Sequence, residues 1–190
     1  MNHKGTILIE TDRLILRRFV IEDADAMYGN WASEDEVSKF LSWPTHSNVG
    51  VTKALLSTWI ANYEKPDFYN WAIELKEIGE VIGNISVVGN IDEKVAGVDL
   101  AYCIGTKWWG KEIIPEAGKA VIRYLFEEVG CNRIAAYHAK DNPKSGRVMQ
   151  KLGMTYEGTL RQAEICNQGV VDAVWYSILK DEYPLLKSER

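Results

Sequence analysis

Seven short segments of this chain carry the apolar pattern of β-strands. They span residues 14–19, 69–75, 80–88, 95–104, 133–138, 155–160 and 170–179. The alternation is clearest at residues 99–104, and a two-residue period is typical of a strand that buries one face. We expect a hairpin through residues 76–79 and a turn at residues 89–92. The pattern therefore predicts a sheet of six to seven strands.

Helical patterns separate several of these strands. We expect helices opening at Glu22, over residues 35–41 and 52–63, from Pro115 to Gly130 and from Asn142 to Gly153. Adjacent strands followed by a strand–helix–strand–helix passage predict a mixed α/β sheet with helices on both faces. Its parallel pair should be the strands ending at Ile104 and His138. No repeat or linker interrupts the pattern, so we expect a single domain over residues 11–183.

The passage from Asp99 to Arg123 predicts a strand, a tight loop and a helix in succession. Pro115 suits the first turn of a helix, since the donor that proline lacks would have no partner there. Amides at a helix start lack intrahelical acceptors and lie at the positive end of the helix dipole, so they suit a phosphate. Gly110 and Lys111 add close approach and positive charge. The passage favours a phosphate-bearing ligand, and the alternative is an ordinary strand-to-helix connection.

Composition and charge exclude several classes of function. The net charge of −5 argues against a nonspecific nucleic-acid binder, which needs a basic face. Three cysteines and three histidines show no metal-ligand spacing, so we expect neither a disulfide framework nor a metal. Charged residues break up the N-terminal stretch, and no apolar run reaches the ~20 residues of a membrane span. We expect a cytoplasmic protein with no membrane or nucleic-acid partner.

Three motifs stand out along the chain. They are Glu10-Thr11-Asp12-Arg13-Leu14-Ile15-Leu16-Arg17, Trp109-Gly110-Lys111 before a helix, and Asn142-Pro143-Lys144-Ser145-Gly146-Arg147-Val148 with Lys151-Leu152-Gly153. Their order and spacing resemble the GNAT acetyltransferases, and more narrowly the RimJ/RimL-type N-terminal acetyltransferase branch. The resemblance implies a mostly antiparallel twisted sheet, splayed between two central parallel strands where acetyl-CoA lies.

The resemblance also implies how acetyl-CoA would be held. The pantetheine arm would pair with a strand backbone like an added strand and form a hydrogen bond with an asparagine. The pyrophosphate would lie on loop and helix amides. A bulge in that strand would free an N–H for the thioester oxygen as negative charge develops. The residues are Tyr102, Cys103 and Ile104 on the strand, Trp109, Gly110, Lys111, Glu112, Ile113 and Ile114 at the pyrophosphate, and Asn142.

One position departs from the family pattern. Glu112 stands where the family loop usually has a second glycine, and Ile114 stands where it has a small residue. A glutamate there needs a backbone conformation that glycine adopts more cheaply. Its charge also disfavours a nearby pyrophosphate unless the side chain points to solvent. This departure could weaken CoA binding.

Acetyl transfer to an amine requires a base for the ammonium proton and an acid for the departing thiolate. Many GNAT enzymes carry a tyrosine acid seven residues after the asparagine, where this chain has Met149. The resemblance to RimL-type enzymes instead implies Ser145 as the acid and Glu164, at the end of the segment 160–164, as the base. The alternatives are that Ser145 only bonds locally near the helix start and that Glu164 is solvated.

Other residues with chemical potential have plainer interpretations. We expect His138 to be packed or half-exposed, and Cys103 to be a small core residue because no triad pattern accompanies it. Asp172 either orients the substrate-side loop or pairs with a neighbour. Several aromatic residues could line an acceptor groove but are expected mainly in the core. They are Trp31, Phe40, Trp43, Trp59 and Tyr69.

We therefore expect an acetyl-CoA-dependent N-acetyltransferase that works by direct attack of a primary amine. The first candidate acceptor is a protein N-terminal α-amine, of the ribosomal-protein-serine type. The alternative is a small amine, such as a polyamine, an aminoglycoside or an amino-acid derivative. A non-catalytic acetyl-CoA sensor is a third interpretation, which Ser145 and Glu164 argue against. The branch often forms dimers, so a homodimer is left open.

Overall fold

One eight-stranded sheet runs through the structure, a computed structural model that describes residues 1–183 apart from the side chain of Asn90. Its strands are β1 (Ile9–Glu10), β2 (Leu14–Arg17), β3 (Asn70–Leu75), β4 (Glu80–Asp92), β5 (Gly97–Ile104), β6 (Arg133–Ala139), β7 (Thr155–Cys166) and β8 (Gly169–Leu179). They lie in the order β1-β2-β3-β4-β5-β6-β8-β7. Only β5 and β6 are parallel neighbours in this described sheet. This confirms the mixed, mostly antiparallel sheet and its predicted parallel pair.

Five α-helices are found in the described part of the chain. They are α1 (Ala24–Met27), α2 (Asp35–Ser38), α3 (Val49–Asn62), α4 (Ile113–Tyr124) and α5 (Pro143–Lys151). The Asn48 side chain caps α3 by accepting the amides of Gly50 and Val51 at 2.8 and 3.3 Å. π-helical turns continue α1 over Tyr28–Ala32 and α4 over Leu125–Val129. Gly130 ends the second of these runs with a φ of 81°, which glycine adopts without strain.

Two hydrophobic clusters cover the two faces of the sheet. One lies on the side of α4 and α5 and includes the fully buried side chains of Trp71, Val121 and Leu152. The other lies on the side of α1 to α3 and includes those of Trp31 and Leu56. Helices therefore cover both faces, as the sequence pattern predicts.

The structure corrects three boundaries. β1 adds an eighth strand of two residues, which is too short to show a period. Residues 89–92, expected as a turn, belong to β4, and the chain turns at residues 93–96 instead. β7 continues to Cys166 through the expected connection after residue 160. Because β7 is an exposed edge strand, it lacks the apolar face that would have predicted this length.

The parallel strands separate soon after they meet. β5 and β6 pair only through residues 97–99 and 133–135. Beyond these residues β5 stays paired with β4, and β6 stays paired with β8. A space therefore opens between residues 100–104 and 136–139, and we call this space the gap. The expected bulge on β5 is not found in the described residues, since residues 99–104 pair with β4 in unbroken register; the bulge of this strand pair lies on β4, where residues 89–91 stand opposite Val98 alone.

Within residues 1–183, none of the helices combines the length and the apolar composition that crossing a membrane requires. The same residues contain no group of three or more His, Cys, Asp or Glu side chains placed to hold a metal ion.

Candidate active site

The β5 side of the gap carries backbone groups that have no strand partner. The Gly105 N–H donates to the Ile82 carbonyl at 3.1 Å, which fixes the phase of the β4–β5 ladder. Alternate residues of an antiparallel ladder direct their N–H and C=O groups away from the partner strand. In this phase the backbone N–H and C=O groups of Tyr102 and Ile104 face the gap, whereas those of Cys103 face β4. Two of the three strand residues expected at the pantetheine arm are therefore positioned to pair with it.

The loop after β5 presents amides with no acceptor at the start of α4. Among the described residues, no acceptor is found for the backbone N–H groups of Gly110, Glu112, Ile113 and Ile114. The amides of Trp109 and Lys111, also expected at the pyrophosphate, instead donate to the carbonyls of Thr106 and Trp108 at 3.1 and 3.4 Å. Four amides at the positive end of a helix form a suitable cradle for a pyrophosphate.

Trp109 links this loop to both neighbouring elements. Its indole N–H donates to the Ile104 carbonyl at 3.0 Å, so the end of β5 holds the ring in place. The Lys144 ammonium on α5 lies 4.1 Å from the centre of the same ring, a cation–π contact. The loop and α5 therefore meet beside the gap, and they bring a positive charge with them.

A clamp from the β1–β2 turn fixes the first turn of α4. The Thr11 hydroxyl and the Arg13 guanidinium donate to the two oxygens of the Glu116 carboxylate at 2.5 and 2.6 Å. Arg13 also donates to the Lys111 carbonyl at 3.0 Å. Burial disfavours the Glu116 charge, but these hydrogen bonds together hold its pKa below the ordinary value. The Thr11–Arg13 motif therefore supports the amide cradle, a role that its sequence did not indicate.

Glu112 has the backbone conformation that its replacement of a glycine predicts. Its φ is 61°, in the left-handed region. Its side chain forms an ion pair with Lys151 at the end of α5. Both side chains are about half exposed, at 53% and 51%. The glutamate charge is therefore balanced by a neighbouring lysine.

The start of α5 brings Asn142 and Ser145 to the other side of the gap. Asn142 precedes Pro143, and its side chain makes no hydrogen bond within residues 1–183, so it is available to a ligand. A Cβ on Gly146 would lie 2.6 Å from the His138 ring, so only glycine lets α5 come this close to β6. At this distance the Ser145 hydroxyl lies 2.9 Å from the Tyr102 hydroxyl across the gap.

Glu164 lies on the opposite face of the sheet. Tyr137 on β6 donates to Glu164 Oε2 at 3.2 Å. Asp99 and Tyr102 are three positions apart on β5, so Asp99 points to the face of Glu164 while Tyr102 points to the face of Ser145. Burial raises the pKa of the Asp99 carboxyl, and the nearby Glu164 charge adds to the rise while Arg133 opposes it. Ser145 and Glu164 therefore flank the gap from opposite faces, with Asp99 beside Glu164.

A bulge in β7 sets the position of Glu164. Residues 161–163 stand opposite Asp172 alone, and regular pairing resumes at Glu164 with Val171. The Asp172 carboxylate accepts the Gln162 amide at 3.0 Å and also pairs with Lys140 at 3.7 Å. Of the two roles considered for Asp172, the structure thus supports both, because it orients the segment before Glu164 and binds a neighbour.

The β7–β8 hairpin tip is fastened to the end of α2 and to the chain that follows it. The Asn167 amide side chain donates to the carbonyls of Ser38 and Trp43 at 2.8 and 2.7 Å. Its backbone N–H donates to the Leu41 carbonyl at 3.1 Å. This contact spans the face that carries Glu164, three residues before Asn167. No sequence pattern indicated it.

Several other candidate residues are structural. Burial raises the pKa of Cys103 to about 12, and its thiol donates to the Asn84 side chain at 2.9 Å, so it remains a thiol. His138 is buried and stacks on Tyr176. Among the aromatic residues proposed for an acceptor groove, Trp31 and Tyr69 are core residues at 0% and 1% exposure. The other three, Phe40, Trp43 and Trp59, are half-buried.

This fold and site define an acyltransferase class, in which a thioester donor and its acceptor meet between two splayed strands. The chain belongs to the GNAT family, since the family model described as an acetyltransferase (GNAT) domain matches residues 13–155. It is 31% identical over 173 residues to the uncharacterized N-acetyltransferase YoaA of Bacillus subtilis, covering 91% of this chain and 97% of YoaA. It is 29% identical over 165 residues to the [ribosomal protein uS5]-alanine N-acetyltransferase of Escherichia coli, covering 80% of each chain.

A solved structure shows the same fold with its donor bound. The microcin C7 self-immunity acetyltransferase MccE, in complex with acetyl-CoA and AMP, superposes with a TM-score of 0.78 at 22% identity. The match covers 89% of this chain and 93% of MccE. As a GNAT acetyltransferase, this chain uses acetyl-CoA. The free amides before α4, the gap-facing backbone of Tyr102 and the unpaired Asn142 side chain suit that ligand.

Proposed function

We propose that this chain acetylates a primary amine by direct attack, with Glu164 as the general base and Ser145 as the general acid. The observation that carries the proposal is their placement beside one gap on opposite faces of the sheet. An acceptor that enters on the Glu164 face and a thioester held on the Ser145 face can meet only in that gap. Positioning the two reactants in this way supplies much of the rate acceleration.

The Glu164 face provides the proton acceptor. Glu164 takes the proton of the incoming ammonium, directly or through water, which restores the lone pair that attacks. Tyr137 donates to Oε2 of this carboxylate and leaves Oε1 for the acceptor. The Asp99 carboxyl lies close enough to interact electrostatically with Glu164, so the face attracts a cationic amine.

The Ser145 face serves the leaving group. Bound acetyl-CoA supplies the thioester carbonyl that the amine attacks. A gap-facing N–H of β5 stabilises the developing oxyanion. Ser145 gives its hydroxyl proton to the sulfur as the carbon–sulfur bond breaks, and its oxygen later regains a proton from water. The amide cradle before α4 holds the pyrophosphate, with Asn142 on the pantetheine arm.

The acceptor proposed first is a protein N-terminal α-amine. The relative from Escherichia coli is named for acetylating the alanine of ribosomal protein uS5, and it covers most of this chain. The competing proposal is a small amine. The fastened hairpin tip at Asn167 supports it, because that contact spans the acceptor face and restricts the approach of a bulky chain.

The acid–base assignment is tested by substitution. Glu164→Gln and Ser145→Ala should each lower kcat by about 10²–10⁴, since general acids and bases contribute that factor. The dissociation constant of acetyl-CoA should stay nearly unchanged. Glu64→Gln and Ser57→Ala are matched controls, because they make the same chemical changes at exposed positions of the α3 region. Wild-type rates in the Glu164 and Ser145 variants would reject the assignment.

The acceptor is tested by measuring CoA release with N-terminal peptides and small amines side by side. Faster turnover of peptides supports the first proposal, and faster turnover of a diamine or an amino sugar supports the second. Binding of acetyl-CoA with no turnover of any amine would favour a sensor.

A further inference from the structure

The Tyr102 hydroxyl lies between two oxygens of Ser145. It is 2.9 Å from the Ser145 hydroxyl and 3.0 Å from the Ser145 carbonyl. The tyrosine is on β5 and the serine on α5, 43 residues later, so the contact joins the two sides of the gap. The Tyr102 ring packs against the core cluster on the α4 and α5 face. The hydroxyl is therefore held in place by a packed ring.

Counting protons leaves two arrangements of this pair. The carbonyl can only accept, and each hydroxyl has one proton to donate. If Tyr102 donates to the carbonyl, the Ser145 proton can turn back to the tyrosine oxygen. If Tyr102 donates to Ser145 Oγ, the Ser145 proton is free to point into the gap. In the first arrangement the Ser145 proton is drawn to the tyrosine oxygen, whereas in the second it is left for a departing sulfur.

The Tyr102 phenol keeps the proton that it donates in hydrogen bonds. Burial raises the pKa of Tyr102 well above its ordinary value, and the hydrogen bond with Ser145 only partly opposes the rise. The phenol therefore stays protonated across the neutral and mildly alkaline range. It therefore does not act as a base there, and its O–H stays available as a hydrogen-bond donor.

We propose that Tyr102 is a positioning residue for Ser145, whose Oγ accepts the tyrosine hydrogen bond so that the serine proton points to the thioester sulfur. The proposal rests on the proposed role of Ser145 as the acid. An aliphatic hydroxyl is a weak acid by itself, and a hydrogen bond accepted from a second hydroxyl polarises it. When Ser145 gives up its proton, the Tyr102 O–H stabilises the negative charge left on Oγ.

Tyr102→Phe tests this directly, because it removes one oxygen and keeps the packed ring. We expect kcat to fall about tenfold, the effect of one hydrogen bond that is stronger in the transition state. The KM for acetyl-CoA should stay within about twofold. Tyr156→Phe is the matched control, since its hydroxyl bonds Thr159 on the exposed edge strand.

A double-mutant cycle separates positioning from a structural tether. Because Tyr102 acts through Ser145, the variant Tyr102→Phe/Ser145→Ala should be no slower than Ser145→Ala alone. A tether between β5 and α5 would instead add its own loss in both backgrounds and raise the KM for acetyl-CoA. Thermal melting of each variant checks that the fold is intact.

The outcomes distinguish this inference from the proposed function. Wild-type kcat in Tyr102→Phe, or an equal further loss in the double variant, overturns the positioning role and leaves Ser145 as the acid. A wild-type rate in Ser145→Ala removes the proposed acid, and the positioning role with it.

Discussion

Glu112 combines a strained backbone with a charge beside the amide cradle, and two substitutions separate these features. Its φ of 61° and ψ of 17° lie in the left-handed region. Its carboxylate pairs with Lys151. Glu112→Ala removes the charge and keeps a Cβ, whereas Glu112→Gly removes both the charge and the strain. The alanine variant is thus the matched control for the glycine variant.

The magnitude follows from the two contributions. A residue with a Cβ costs about 1–2 kcal/mol in the left-handed region. Glycine avoids this cost, but it loses roughly 0.5–1 kcal/mol on folding because it has more conformational freedom in the unfolded chain. The exposed pair with Lys151 contributes about 0–1 kcal/mol, and both variants lose it equally. The free energy of unfolding of Glu112→Gly should therefore be higher than that of Glu112→Ala by about 0.5–1 kcal/mol. This difference corresponds to a Tm that is about 1–4 °C higher.

Equilibrium unfolding in urea and thermal melting give this difference. A glycine variant that is less stable than the alanine variant would show that the left-handed backbone carries no strain. Acetyl-CoA titration reports the charge separately. Both variants leave Lys151 unpaired beside the cradle, so they should bind acetyl-CoA up to about fivefold more tightly at low salt. The gain should shrink as salt is added, and weaker binding would contradict the electrostatic argument.

Two further predictions concern the supports of the site. Gly146→Ala places a Cβ 2.6 Å from the His138 ring, which should destabilise the protein by about 1–3 kcal/mol and lower kcat. The control in the same thermal melts is Gly29→Ala, because a Cβ at Gly29 meets open space. The hydrogen bonds from Arg133 lower the pKa of Glu157 to about 2 from 4.5, so its contribution to stability is present above pH 4.5 and lost as the pH falls toward 2. The difference in unfolding free energy between the wild type and Glu157→Gln should therefore shrink over that interval, and a constant difference would contradict the ion-pair account.

The order of helices and strands could be predicted because the signals are local. Apolar periods, the proline at α5 and the glycine after the π-helical turn each act within a few residues. They were enough to identify the parallel pair ending at Ile104 and His138. The expected strand boundaries are wrong where these signals are weak. This is the case at the two-residue β1, at the irregular end of β4 and in the solvated edge strand β7.

The positive φ of Glu112 was also predictable, because a glycine position has a conformational requirement that any replacement inherits. Its partner Lys151 was not, since the two lie 39 residues apart and meet only where α5 packs beside α4. The clamp of Thr11 and Arg13 on Glu116 has the same origin, across more than 100 residues of sequence.

The sequence by itself determined the family, the kinds of elements and the parallel pair between which the gap opens, because motifs and periods are read along the chain. Only the tertiary structure decided what stands around that gap. Tyr102 meets Ser145 because Gly146 lets α5 approach β6, and Glu164 meets Tyr137 because a bulge held by Asp172 shifts β7. These contacts depend on how packed elements approach one another, which no local pattern specifies.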